Sequence, residues 1–62
     1  MEKMKLKAVR ANRDLTIKQV SEAVGISERS ISQWEQGKQL PSMKLLMKLL
    51  EFYQVKLEDI QL

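Results

Sequence analysis

Four polar side chains stand at helical spacing in the middle of the chain, Glu28, Arg29, Ser32 and Gln33, with Ser27 just ahead of them. Gln33 follows Arg29 by four residues and Glu28 by five, so all share one outward helix face. Their chemistry is recognition by hydrogen bonding. An arginine fork can donate twice to O6 and N7 of guanine, and a glutamine amide can pair with N6 and N7 of adenine. A carboxylate can accept from N4 of cytosine. Each good pair discriminates by about 1–3 kcal/mol. The plainer alternative for all of them is a solvated helix face, and a first-turn Glu28 also complements the helix dipole.

Other chemistries lack their residues. The chain has no histidine and no cysteine, which removes the usual acid–base group at neutral pH, the thiolate nucleophile and the commonest metal ligands. Gly25 and Gly37 stand alone, so no glycine-rich loop can cradle a phosphate. We therefore expect no enzyme, no metal and no cofactor. The net charge is +3, and it is unevenly spread. Lys3, Lys5, Lys7, Arg10, Arg13 and Lys18 face only Glu2 and Asp14 in the first part, whereas Lys56 faces Glu51, Glu58 and Asp59 at the end. One end suits a polyanion and the other does not. No apolar run reaches membrane-spanning length, and the charged start Met1-Glu2-Lys3-Met4-Lys5 leads into no signal-peptide core. A cytoplasmic chain with no membrane association is expected.

The elements that must hold the polar row follow from start and stop signals. At 62 residues the chain has room for one domain, 1–62. A first helix is predicted from about Met4 to Asn12, with Leu6, Val9 and Arg10 on one face. Thr16 and Gln19 form a capping box for a second helix, with Leu15 and Val20 in the staple positions. Val20, Ala23 and Val24 are expected to face inward, and Gly25 ends the helix. Ser27 caps a third helix, about Glu28 to Gln36, with Ile26 and Ile31 as its staple. Ile31 and Trp34 lie on its inner face, and Gly37 marks its end. Two helices joined by so short a turn form a helix-turn-helix unit, about residues 16–36. Pro41-Ser42 opens a fourth helix to about Gln54, apolar on two sides: Leu45, Leu46, Leu49 and Tyr53 on one, Met43, Met47 and Leu50 on the other. Leu57 and Ile60 suit a last helical turn that folds back or meets a partner.

The stretches Gln19–Ser27, Ser30–Lys38 and Pro41-Ser42 resemble the Cro/C1-type (XRE) helix-turn-helix family, which includes the phage repressors. The resemblance runs from about Leu6 to Ile60, and Ile-Ser-x-Trp-Glu-x-Gly-Lys followed by Pro-Ser is its most specific part. It implies an all-α, lambda repressor-like bundle of four to five short helices. The second helix would lie across the DNA backbone and the third would enter the major groove. Two residues depart from the family's habit. Ile17 stands where phage repressors often place a phosphate-touching Gln, and Ser21 where a small Ala is frequent.

By that resemblance Ser27, Glu28, Arg29, Ser32 and Gln33 are the expected base contacts. Thr16, Ile17, Lys18, Lys38, Ser42 and Lys44 are the expected phosphate contacts, with Arg10 as a further one. Arg10 and Glu35 are charged at inward-facing positions, and the matching residues of similar repressors form a buried salt bridge. Trp34 reads as packing. The implied partner is double-stranded DNA, bound by a homodimer on a palindromic operator, with repression the expected effect. The candidate dimer surface is Met43, Met47 and Leu50, or the tail Leu57, Ile60 and Leu62. Nothing within the chain suggests a small-molecule effector site. Two alternatives stand beside this reading: a protein-interaction module such as an antitoxin or adaptor, and the N-terminal DNA-binding part of a larger regulator.

Overall fold

A computed structural model describes residues 3–61. Four α-helices follow one another: α1 (Leu6–Asn12), α2 (Ile17–Val24), α3 (Glu28–Glu35) and α4 (Met43–Tyr53). A single 3-10 turn, Leu57–Asp59, stands where the family resemblance implies a fifth helix. Two short strands, β1 (Met4–Lys5) and β2 (Ile60–Gln61), pair in parallel, Met4 opposite Ile60 and Lys5 opposite Gln61. The fold is thus the expected helical bundle, closed by a ladder that period and caps did not foretell. Met4 belongs to that ladder and not to α1, because Ile60 returns to the core and brings β2 alongside it.

Local signals set the helix starts. Thr16 Oγ1 accepts from the Gln19 amide at 3.1 Å while Gln19 Oε1 accepts from the Thr16 amide at 2.8 Å, a reciprocal capping box. Ser27 Oγ accepts from the Ser30 amide, and Ser42 Oγ from the Leu45 amide. Between α2 and α3, Gly25 takes φ +74°, a left-handed conformation that costs other residues about 1–2 kcal/mol. Ser21 does more than fit the crossing: its hydroxyl donates to the Ile26 carbonyl at 2.6 Å and ties the turn to α2.

Three helices end in the same way. Gly37 donates to the Trp34 carbonyl and Lys38 to that of Gln33, the paired bonds of a Schellman end. Asp14 and Leu15 repeat the pattern after α1, and Gln54 and Val55 after α4. Asp14 and Gln54 hold positive φ, +54° and +60°, without being glycine.

The core is built from one face of each helix. Leu6 and Val9, Val20 and Val24, Ile31 and Trp34, and Leu46, Leu49, Leu50 and Tyr53 converge, with Ile26 and Ile60 closing the layer. Three expectations are corrected here. Ala23 is exposed, because the i, i+4 pair Val20 and Val24 sets the buried face of α2 and rolls Ala23 off it. Leu50 is 1% and Ile60 5% exposed, so neither is available to a partner. Both belong to the core cluster, Ile60 beside Met4 in the ladder. Met43 and Met47 keep the outer side of α4, at 60% and 47% exposure, with Leu57 at 42%. Leu62, the remaining candidate, lies outside the described residues.

Replacing Gln54, which holds left-handed φ at an exposed position, should raise stability. We expect Gln54→Gly to gain up to about 1 kcal/mol in urea unfolding, and a loss would show that its side chain contributes to the helix end.

Candidate nucleic-acid interface

α3 turns Ile31 and Trp34 inward and its polar row outward. Glu28 and Arg29 are exposed, and Ser32 and Gln33 are half-buried. Arg10 to Glu35 is the only ion pair among the described residues, so Glu28 and Arg29 keep their charges for an outside partner. Ser27 is engaged at the helix start, its hydroxyl donating to Ser30 Oγ at 2.9 Å. Ser32 Oγ accepts from Gln36 Nε2 at 2.8 Å.

The position of α3 depends on Arg10. Its Nε and Nη2 donate to the two carboxylate oxygens of Glu35 at 2.7 and 3.0 Å, and Nη1 donates to the Leu15 carbonyl at 2.8 Å. One guanidinium thereby joins α1, α3 and the turn before α2. The side chains are 15% and 5% exposed, so water screens the pair little. The hydrogen bond to Glu35 raises the Arg10 pKa above its ordinary value, against the opposing pull of burial. Arg13 works beside it at two helix ends, donating to the carbonyls of Val9 (3.0 Å) and Tyr53 (2.8 Å) and lying over the Tyr53 ring. Burial, then the charge of Glu35, pushes the Tyr53 phenol up to about 12.

Next to the ion pair a cleft of about 260 Å³ opens between three helices, lined by Lys7, Arg10, Ile17, Ser32, Glu35 and Gln36. The start of α2 borders it. There the capping box satisfies the amides of Thr16 and Gln19, while those of Ile17 and Lys18 belong to the first turn and have no acceptor within the helix. Ile17 therefore offers backbone and no side-chain contact. Arg10 is in the cleft, but its fork is already committed to Glu35 and Leu15. Lys7, one turn earlier on α1 and exposed, brings the uncommitted charge to this cleft. The sequence marks Lys7 as part of the basic first stretch but not as a neighbour of this cleft; its i, i+3 relation to Arg10 is the signal that places it here. Lys38 is exposed just after α3, Ser42 is used as the α4 cap, and Lys44 is exposed in the first turn of α4.

Two helices locked across a glycine turn, the second with its polar face outward and a cationic margin, make a helix-turn-helix module. The helix-turn-helix family profile matches residues 6–60, and the chain belongs to that family, the Cro/C1-type DNA-binding domains of transcriptional regulators. It is 43% identical over 58 residues to an uncharacterized HTH-type transcriptional regulator of Methanocaldococcus jannaschii, covering 94% of this chain and 88% of the relative. It is 34% identical over 56 residues to the HTH-type transcriptional activator BcrR of Enterococcus faecalis. That match covers 90% of this chain and 28% of BcrR. The comparison with solved structures returns no match. Among the described residues no helix is long and apolar enough to cross a membrane.

Arg10→Met would leave the nearly buried Glu35 carboxylate unpaired and should cost about 3–5 kcal/mol, read as a lower urea midpoint; an unchanged midpoint would show the pair to be dispensable. Tyr53 gives a pH signature. Its folded pKa of about 12 lies above the ordinary 10.0, so its share of stability is complete below pH 10 and lost as pH rises towards 12. The Tyr53 hydroxyl has no hydrogen-bond partner among the described residues. Tyr53→Phe should accordingly be neutral or mildly stabilising at pH 7 and should flatten the alkaline decline.

Proposed function

We propose that this chain is a sequence-specific regulator whose third helix, about Glu28 to Gln36, reads the major groove of double-stranded DNA. The observation that carries the reading is the outer row of α3, where the Arg29 fork stands exposed and unpaired beside Glu28 and Gln33. Arg29 would donate to guanine, Gln33 would pair with adenine, and Glu28 would accept from cytosine, with Ser27 and Ser32 at the margin. The free amides of Ile17 and Lys18, with Thr16, would seat one phosphate. Lys7, Lys38, Ser42 and Lys44 would meet the backbone on either side, and Arg10 would act there mainly by placing α3.

One module offers few base contacts, so a homodimer on a palindromic operator is the natural arrangement, with half-sites about 34 Å apart. The long axis of the domain, 30 Å, is compatible with two copies at that spacing. Met43 and Met47, with Leu57 as the alternative, are the exposed apolar candidates for the contact; Leu40, 73% exposed, precedes α4 and was not singled out by sequence. Binding over a promoter would repress by occlusion, which needs no surface beyond the DNA-facing one. The same apolar residues support a second reading, a protein-interaction module in which DNA binding is secondary.

Random-site selection at near-physiological salt tests the proposal. The expected result is an enriched inverted repeat with half-sites one helical turn apart, and Arg29→Ala should relax one position in each half. Sedimentation should then find two copies per duplex, and Met47→Lys should weaken that stoichiometry without unfolding the monomer. A pool that stays random, bound only at low salt, would reduce the interaction to phosphate attraction and favour the protein partner.

A further inference from the structure

The hydroxyl of Ser32 has its hydrogen-bonding direction set from behind. Gln36 lies one turn later on the same face and is held twice against Ser32. Its backbone amide donates to the Ser32 carbonyl at 3.0 Å, and its side-chain Nε2 donates to Ser32 Oγ at 2.8 Å. A serine hydroxyl owns one proton and two lone pairs. Gln36 occupies a lone pair, and a hydroxyl that already accepts becomes a stronger donor through polarisation. Among the described residues no acceptor takes the Ser32 proton, although the helix offers the carbonyl four residues back to many serines. Ser32 and Gln36 both line the cleft that Lys7 and the start of α2 border, so an acceptor entering that cleft could take the Ser32 proton.

We infer that Gln36 is a specificity-determining residue which converts Ser32 into a hydrogen-bond donor towards DNA. The inference rests on α3 facing DNA. Its chemical consequence is that the atom opposite Ser32 is an acceptor: a guanine O6 or N7, an adenine N7 or a thymine O4 on a base edge, or a phosphate oxygen. A cytosine or adenine amino group does not fit. Gln36 touches no base in this scheme; it acts through Ser32 alone.

Gln36→Glu inverts the arrangement with little change of shape. The carboxylate can only accept, so it takes the Ser32 proton and turns the serine lone pairs outward. The test is the cost of Ser32→Ala, measured in the wild-type and the Gln36→Glu backgrounds on selected and on random duplexes at one salt concentration. The added negative charge is common to both members of the second pair and cancels. We expect Ser32→Ala to weaken binding roughly 2- to 10-fold beside Gln36, and to weaken it not at all, or to strengthen it, beside Glu at position 36. A loss confined to one base pair identifies a base-edge acceptor, and an equal loss on every sequence identifies a phosphate oxygen. Equal costs in the two backgrounds, or no cost in the wild type, would overturn the inference. Random duplex carries the test even where no operator is selected, an outcome that would count against the reading of α3 and not against the pairing. Melting curves of the four proteins should coincide within a few degrees, since Gln36 is exposed and Ser32 only half-buried.

Discussion

The Arg10–Glu35 fork is the interaction on which the arrangement of the helices turns. Apolar packing brings α1 and α3 together without fixing how far one slides along the other, because leucine and valine surfaces tolerate small shifts. A bidentate guanidinium–carboxylate pair does not tolerate them, since both bonds require a common plane. The third donor, to the Leu15 carbonyl, extends the constraint to the turn that launches α2. The three elements bordering the cleft are therefore referenced to one side chain.

The pair also divides the electrostatics of the molecule into an inner and an outer part. Inside, a cation and an anion cancel at close range; Arg13, though exposed, is engaged with the carbonyl ends of α1 and α4. Outside, Lys7, Lys18, Arg29, Lys38 and Lys44 remain in water. Ionic strength reaches the second set far more than the first. Salt should therefore disturb the outer cations well before it disturbs the Arg10–Glu35 pair.

What could be read from the sequence was what neighbouring residues decide among themselves. Thr16 with Gln19, Ser27, Ser42, Gly25 and Gly37 each act within one helical turn, and the structure has helix starts and ends at those places. The fold class followed from them and from the family likeness. The differences lie in packing and in turn conformation, which those signals do not set. Leu50 looks like part of a second, outer stripe and Ile60 could fold back or meet a partner, and both are taken into the core; Ala23 looks internal until Val20 and Val24 fix the roll of α2. The ends near Asp14 and Gln54 stand where they were expected, Asn12 and Asp14 being turn formers, but their left-handed φ without glycine was not read. At the candidate interface residue types marked Arg29 and Gln33, and charge at inward positions together with the family likeness marked the Arg10–Glu35 pair; that the same guanidinium also holds the Leu15 carbonyl, and that Gln36 leans on Ser32, was not read.

The parallel ladder between β1 and β2 has a consequence for the order in which the molecule assembles. The helix caps and the α2–α3 turn close over a few residues, whereas Met4 meets Ile60 across almost the whole chain. Closing so long a loop carries a larger entropic penalty than any other pairing here, and two residues of ladder repay little of it by themselves. The helical unit must already be in place to present Ile60 to its pocket. Annealing of the two ends is then a late event on the folding route and the first contact to fray, and amide exchange at Lys5 and Gln61 would outpace that at the centre of α4.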